Sequence, residues 1–340
     1  MRRLKILHLI SEKPPVKSGF SRAISRLTEE LMKNGHDVTV ASAQDCGCKM
    51  IGEMKFVTST RSLDSYIKGD YDIINIHGHT PMFSDVLFLK SRASNKKIVY
   101  TLHCLVDYYL KPIGLLYNSL SNNIMLKFSD AVVVTSRSYY DMVRSNPRKY
   151  LIPWGVDFNM FSGSRKRHQN YRILFVGQMR PYKGLKVLLD SMTGVEGELN
   201  VIGDGPDRIN YESYVKKHEL NNIHFYGAVS DEVLGQMYLS SDVLVLPSVS
   251  VNEAFGLVTL EAAAAGCAVV ASDLPGLRDV VGEFGVLVKP RDSGGIRDAL
   301  LALRNKSTRD EYVIKGKVLA EKYGWQNVAK KYIEVYEDLI

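Results

Sequence analysis

Short apolar runs, each closed by a polar or glycine-rich break, recur along all 340 residues. Continuous runs of four to eight apolar residues read as buried strands, and apolar positions three and four apart read as helices. Lys5–Ile10 is the first such strand. Ser21–Asn34 is the first helix, with Ile24, Leu27 and Leu31 on one face and Gly35 as its stop. Strands continue at Val38–Ala41, Ile73–Ile76, Ile98–Leu102 and Ala131–Thr135. The pattern restarts at Ile173–Val176 and passes through a helix at Leu185–Met192, a strand ending at Ile202 and another opening at His224. Further strands follow at Val243–Leu246, Ala268–Ala271 and Val286–Val288, and an aromatic amphipathic helix is expected over Tyr323–Tyr336. Strands alternating with helices specify parallel α/β sheets, here two in succession.

The length exceeds what one core supports, so two domains are expected. Their seam falls in Ile152–Tyr171, where the polar stretch SGSRKRHQN reads as a linker. The start, MRRLKILHLIS, imitates a signal peptide, but its apolar core is short and no small-residue cleavage site follows, so a first strand is expected. No apolar run approaches the roughly 20 residues that span a bilayer. Four cysteines fit neither a disulfide framework nor zinc spacing, Cys46-Gly-Cys48 being too tight for a zinc knuckle. Reduced thiols in a cytoplasmic protein are the expectation.

Charge changes the picture. Residues 1–155 hold 22 Lys and Arg against 13 Asp and Glu, a net +9, and residues 156–340 hold 22 against 24, a net −2. A basic front half implies an anionic partner. The excess is spread over many segments without a nucleic-acid motif, so no nucleic acid is expected. An anionic membrane, at the inner face of the cell membrane, or an anionic or lipid-linked acceptor fits better. Tyr108–Phe128 is rich in Tyr, Leu and Ile between Lys111 and Lys127. It reads first as a core helix pair, and second as an amphipathic face for lipid.

The chemistry gathers after Pro247. A loop opens there into a helix bounded by Gly256 and Gly266, with Glu253 before it and Glu261 one turn inside. Helix starts beyond parallel strands present free N–H groups at the sheet edge where ligands bind, and Gly256 lets a phosphate approach them. Glu253 and Glu261 do not share a helical face, so they address two parts of one ligand, as hydroxyl acceptors. Phosphate on amides and hydroxyls on two carboxylates describe a nucleotide sugar. Arg180 and Lys183, between a strand end and a helix, suit a diphosphate. Histidines close two strands of the front half, at His77-Gly78-His79 and His103. Without a carboxylate or Cys at ligand spacing they do not read as a metal site; a hydrogen-bonding role is expected, and for His77 and His79 a structural one.

The run from Glu253 through Phe255-Gly256-Leu257, Glu261-Ala262, Ala264 and Gly266 resembles the E-x7-E motif of family 4 retaining glycosyltransferases. Arg180-x2-Lys183-Gly184 resembles that family's R-x2-K-G, and IPWGVDFNMF its interdomain I-P-N-G-V-D-x3-F, with Trp154 in place of Asn. The N-terminal segment around Ser18-Gly19 resembles its glycine-pair loop, with Ser18 replacing one glycine. The resemblance covers nearly the whole chain. It implies the GT-B fold, two Rossmann-like doubly wound domains facing a cleft: an acceptor-binding domain at 1–155, a donor-binding domain at 156–322, and a helix at 323–340 crossing back to the first. It implies a retaining transferase using a nucleotide-diphosphate sugar. Arg180, Lys183, Gly19 and the Gly256-Leu257 amides beside Phe255 would meet phosphate, Glu261 the ribose and Val229 the base. Glu253 and His103, through its ring or its backbone carbonyl, would hold the sugar. No D-x-D motif for a divalent ion is evident at a strand end, so no metal or other cofactor is expected. The competing readings are a nucleotide-sugar epimerase of similar architecture and a non-catalytic nucleotide-sugar sensor.

Overall fold

A computed structural model describes residues 2–14, 18–46, 48–51, 54–57, 60–105, 111–161, 163–165, 168–251, 253 and 255–340. The chain divides into two compact units, Met1–Gly155 with Trp325–Ile340, and Val156–Gly324.

Unit 1 opens with β1 (Lys5–Ile10), α1 (Gly19–Lys33), β2 (Asp37–Ser42) and a hairpin of β3 (Cys48–Ile51) and β4 (Met54–Val57). It continues with α2 (Asp64–Lys68), β5 (Ile73–Gly78), α3 (Ser84–Arg92), β6 (Lys97–Leu102), α4 (Lys111–Ser121), β7 (Ala131–Val134), α5 (Arg137–Met142) and β8 (Lys149–Leu151). Its sheet is parallel, in the order β2-β1-β5-β6-β7-β8. The connections reverse direction between β1 and β5, which makes the carboxyl ends of these two strands the unit's crevice.

Unit 2 runs through β9 (Arg172–Val176), α6 (Leu185–Ser191), β10 (Glu198–Ile202), α7 (Arg208–Lys217), β11 (Ile223–Gly227), α8 (Asp231–Leu239) and β12 (Val243–Leu246). Then come α9 (Leu257–Ala265), β13 (Ala268–Ser272), α10 (Pro275–Val281), β14 (Val286–Val288), α11 (Ser293–Arg304) and α12 (Lys306–Glu321). Its parallel sheet has the order β11-β10-β9-β12-β13-β14, and the reversal lies between β9 and β12. The central strands are buried along nearly their whole length, and some, such as VLVL in β12, are continuous apolar runs.

The last helix, α13 (Trp325–Glu337), belongs to unit 1. Its Trp325, Tyr332, Ile333 and Tyr336 are buried, and it packs on α1 through the apolar stripe of that helix. It starts two residues later than expected: Tyr323 stays in unit 2, where its carbonyl accepts from the Val156 N–H at 2.7 Å.

Three other elements differ from the expectation. α1 begins at Gly19 because the Ser18 hydroxyl accepts from the Ser21 N–H and caps the helix two residues early. The linker stretch is docked where it is described. Arg165 donates to the carbonyls of Ser241 (2.7 Å), Ala265 (3.2 Å) and Gly266, a cation on the C-terminal carbonyls of α9. From Lys111 on, the Tyr108–Phe128 stretch forms one helix, α4, extended through a wider turn at Asn122–Leu126. Tyr108, Tyr109 and Leu110 lie outside the described residues. The turn buries Met125 and Leu126, but Leu116, Leu120, Ile124 and Phe128, four apart, are each at least 44% exposed, so the core-pair expectation fails for that face.

Candidate functional site

The loops after β9 and β12 flank the reversal point of unit 2, and they are stitched together. The Val249 N–H donates to the Tyr182 carbonyl at 2.8 Å. Gly184 takes a left-handed turn (φ 70°) against the Pro247 carbonyl, which a Cβ there would meet at 1.9 Å. Only glycine lets the two loops come this close.

The stitching brings two predicted residues into contact. Lys183 Nζ donates to Glu253 Oε2 at 2.5 Å, and the Ser248 hydroxyl donates to the same oxygen at 2.9 Å. Both side chains of the ion pair are largely buried, 15% and 10% exposed. Burial pulls the Lys183 pKa down, but Glu253 and then Tyr182 pull it up further, so the ammonium sits above the usual lysine range. Arg180 is half-buried and enters the short turn Pro181–Lys183, accepting from the Lys183 N–H at 3.0 Å.

Gly256 caps α9 in a left-handed conformation (φ 71°), and a Cβ there would meet Leu277 at 2.4 Å and Leu246 at 2.9 Å. Its backbone turns the first N–H groups of α9 towards the carboxyl edge, with Phe255 buried before it and Leu257 opening the helix. Glu261 lies inside α9, 5% exposed, and accepts from the Tyr238 hydroxyl of α8 at 2.8 Å. The two glutamates thus have separate surroundings. Val229 stands beyond β11, two strands from β9, roughly 10 Å across the sheet at strand spacing.

Unit 1 holds the other two. Gly19 is exposed at the start of α1, beyond the carboxyl end of β1. His103 follows β6 and is buried, its ring stacked on Trp154 with centroids 4.6 Å apart. Trp154 is itself met edge-on by Trp325 from α13, which gives the departure from the family's asparagine a structural role. His77 lies beside His103, with Nδ1 and Nε2 2.9 Å apart. His79 goes elsewhere, to the Tyr100 hydroxyl at 2.7 Å and the Ser121 hydroxyl at 2.7 Å.

Ser248, Tyr238 and His8 escaped the sequence reading. For His8 a signal existed: it is the one polar side chain within the apolar run ILHLI of a buried strand. Ser248 and Tyr238 look like ordinary helix and loop residues until the sheet order places them. Among the described residues no helix is long and apolar enough to cross a membrane.

Two family models match the chain: Glycosyltransferase Family 4 over residues 17–159 and Glycosyl transferases group 1 over residues 157–318. The phosphatidyl-myo-inositol mannosyltransferase of Mycobacterium leprae is 31% identical over 293 residues, 80% of this chain and 74% of that protein. Sucrose-phosphate synthase from Thermosynechococcus elongatus superposes with a TM-score of 0.82 at 21% identity, over 98% of this chain and 99% of that one. HepE of Anabaena, solved in complex with UDP and glucose, superposes with a TM-score of 0.76 at 17% identity, over 98% and 100%. The fold is therefore GT-B, two doubly wound α/β units, and the protein is a glycosyltransferase. The chain belongs to family 4 of the glycosyltransferases.

Proposed function

We propose that this protein is a retaining hexosyltransferase that moves a sugar from a nucleotide-diphosphate sugar to a hydroxyl of a glycan, glycolipid or lipid-linked acceptor. The observation that carries this reading is the Lys183–Glu253 pair at the unit 2 reversal point, with Glu253 three residues before the Gly256 cap that opens α9. A buried cation and free helix amides suit a diphosphate that gains charge as it leaves. Arg180 and Lys183 stabilise that leaving group, with Gly19 offering a further amide. Glu261 holds the ribose, Val229 the base, and Glu253 and His103 the transferred sugar. The departing phosphate helps deprotonate the acceptor hydroxyl on the same face, so the reading needs neither a covalent nucleophile nor a metal. UDP in the HepE structure supports a nucleotide donor.

Incubation with a panel of nucleotide sugars, with and without glycan and lipid acceptors, tests the reading. Transfer that depends on an acceptor is expected. Conversion of the nucleotide sugar without an acceptor would make the protein an epimerase, and binding without turnover a sensor. Glu261→Ala should raise the donor KM more than it lowers kcat, because ribose contacts are shared by ground and transition states. Unchanged donor affinity in that variant would remove Glu261 from the ribose.

For the acceptor side, we read the exposed stripe of α4 as a membrane-facing surface at the cytoplasmic leaflet. Leu116, Leu120, Ile124 and Phe128 repeat at helical spacing, and Lys127 lies 5.6 Å over the Phe128 ring. Apolar residues flanked by cations bind anionic bilayers, at about 1 kcal/mol per Lys or Arg near the surface. Co-sedimentation with anionic liposomes should occur at low salt and decline as salt rises. Leu120→Ser combined with Lys127→Glu should weaken it and leave donor affinity intact. Equal binding of neutral liposomes, or none at low salt, would overturn the membrane role.

A further inference from the structure

Three histidines of unit 1 form a row across its sheet. In the strand register His8 lies opposite Asn75, and His77 opposite Thr101. Residues across parallel strands share a face, as do residues two apart on one strand. His77 is two beyond Asn75 and His103 two beyond Thr101, so the three rings leave one face on a diagonal towards the carboxyl edge. His8 Nδ1 is 2.7 Å from His77 Nε2, and His77 Nδ1 is 2.9 Å from His103 Nε2. The rings are 24° and 3° from parallel, and Phe20 meets His77 and His103 edge-on. Trp154 covers His103 on one face. The outer nitrogens of the row, His8 Nε2 and His103 Nδ1, are buried with no hydrogen-bond partner among the described residues.

Burial keeps the row neutral, with His8 and His103 pulled down to about 3 and His77 lowered by burial and by its two neighbours. A neutral imidazole has one N–H and one lone pair. Two such bonds in series allow only two arrangements: every proton on Nδ1, or every proton on Nε2. The first leaves a bare N–H at His103, the second at His8. Orphaned buried N–H groups are rare because they are costly. His8 lies in the middle of β1 and is 0% exposed, whereas His103 is 9% exposed just beyond the end of β6, the edge where α/β sheets receive ligands. The His103 end is therefore the one that a ligand oxygen can approach.

We infer that His77, backed by His8, is a positioning residue that fixes His103 as an Nδ1–H donor, so that His103 gives a hydrogen bond to a sugar oxygen and does not serve as a base. This rests on the proposed transferase reading for what His103 meets, but not for where its proton lies.

Two measurements test it on the full chain. With 15N-labelled histidine, two-bond 1H–15N spectra at neutral pH should show His8, His77 and His103 all protonated on Nδ1. Assignment uses His103→Gln, which leaves the other two signals in place. An Nε2–H form at any of the three would overturn the inference, whatever the activity. In steady-state kinetics His77→Gln keeps an acceptor for His8 and a donor for His103, whereas His77→Leu keeps only the bulk. His77→Gln should hold kcat within about threefold of wild type, and His77→Leu should lose roughly tenfold or more at nearly unchanged donor KM. Equal kcat for the two variants would mean that His77 only fills space. If the wild type transfers no sugar from any donor, the functional reading falls and the spectrum alone decides the proton placement.

Discussion

Acidification from pH 7 to pH 5 is expected to lower the melting temperature of unit 1 and leave that of unit 2 nearly unchanged. The five histidines of unit 1, His8, His36, His77, His79 and His103, are all buried, and the three of unit 2, His168, His218 and His224, are exposed. Burial pulls His8 and His103 down to about 3 and His79 to about 4. In the unfolded chain each titrates near 6.5. Above that pH neither state binds the proton, and stability is complete. Below it the unfolded chain takes up protons that the folded unit refuses, so stability falls progressively towards pH 4. At pH 5 each such group costs about 2 kcal/mol, and three cost about 6, comparable to the net stability of a domain. That corresponds to a drop of about 10–20 °C. Both tryptophans of the chain, Trp154 and Trp325, lie in unit 1, so their fluorescence reads this unit alone. Equal melting temperatures at pH 7 and pH 5 by that probe would show that the row protonates without unfolding.

Lys183→Ala should produce two separable losses. Turnover should fall by about 2–4 kcal/mol of transition-state stabilisation, the scale for one leaving-group donor. Unit 2 should also lose about 3 kcal/mol of stability, because Glu253 remains buried without its cation. The double variant Lys183→Ala, Glu253→Gln removes the stranded charge, so stability should recover while turnover does not. Glu253→Gln alone should tighten nucleoside diphosphate binding, since the phosphate no longer competes with a carboxylate 2.5 Å from Lys183, and should lower turnover. Calorimetry with the diphosphate and thermal melts of all three variants check this. Restored turnover in the double variant would remove Lys183 from the reaction, and a wild-type melt for Lys183→Ala would mean that the pair carries no structural weight.

Local pattern carried most of the architecture. Buried strands such as β7 and β12 are continuous apolar runs, and their alternation with helices specifies parallel sheets without reference to distant contacts. The two glutamates and the R-x2-K-G cations were legible for a similar reason, since each sits where a strand runs into a helix. Their pairing was not. Lys183 and Glu253 are 70 residues apart and meet because β12 inserts beside β9, a sheet order that no local window contains. The histidine row failed to show for the same reason, as His8 and His77 lie on different strands and His103 just past the end of a third, and only the register aligns them. In Tyr108–Phe128 the composition allowed either a core helix pair or an amphipathic face, and composition cannot say whether the fold covers Leu116, Leu120, Ile124 and Phe128. The early start of α1 followed from one hydroxyl, that of Ser18, and the docking of Arg165 from carbonyls that only the folded α9 presents.

The discontinuity of unit 1 bears on how the protein is made. Thr101 donates to Asn75 at 2.8 Å, and Asn75 donates to the Tyr336 hydroxyl at 2.7 Å, across 261 residues of sequence. On the ribosome, the eight strands described in unit 1 emerge before any of unit 2, yet the face bearing Asn75 and Thr101 waits for α13. At 5–20 residues per second, synthesis of Val156–Gly324 occupies roughly ten to thirty seconds of that wait. Unit 2, drawn from one unbroken segment, can close as soon as it clears the exit tunnel. Unit 1 cannot close until the final turn of its own C-terminal helix arrives, so the half made first is the half finished last.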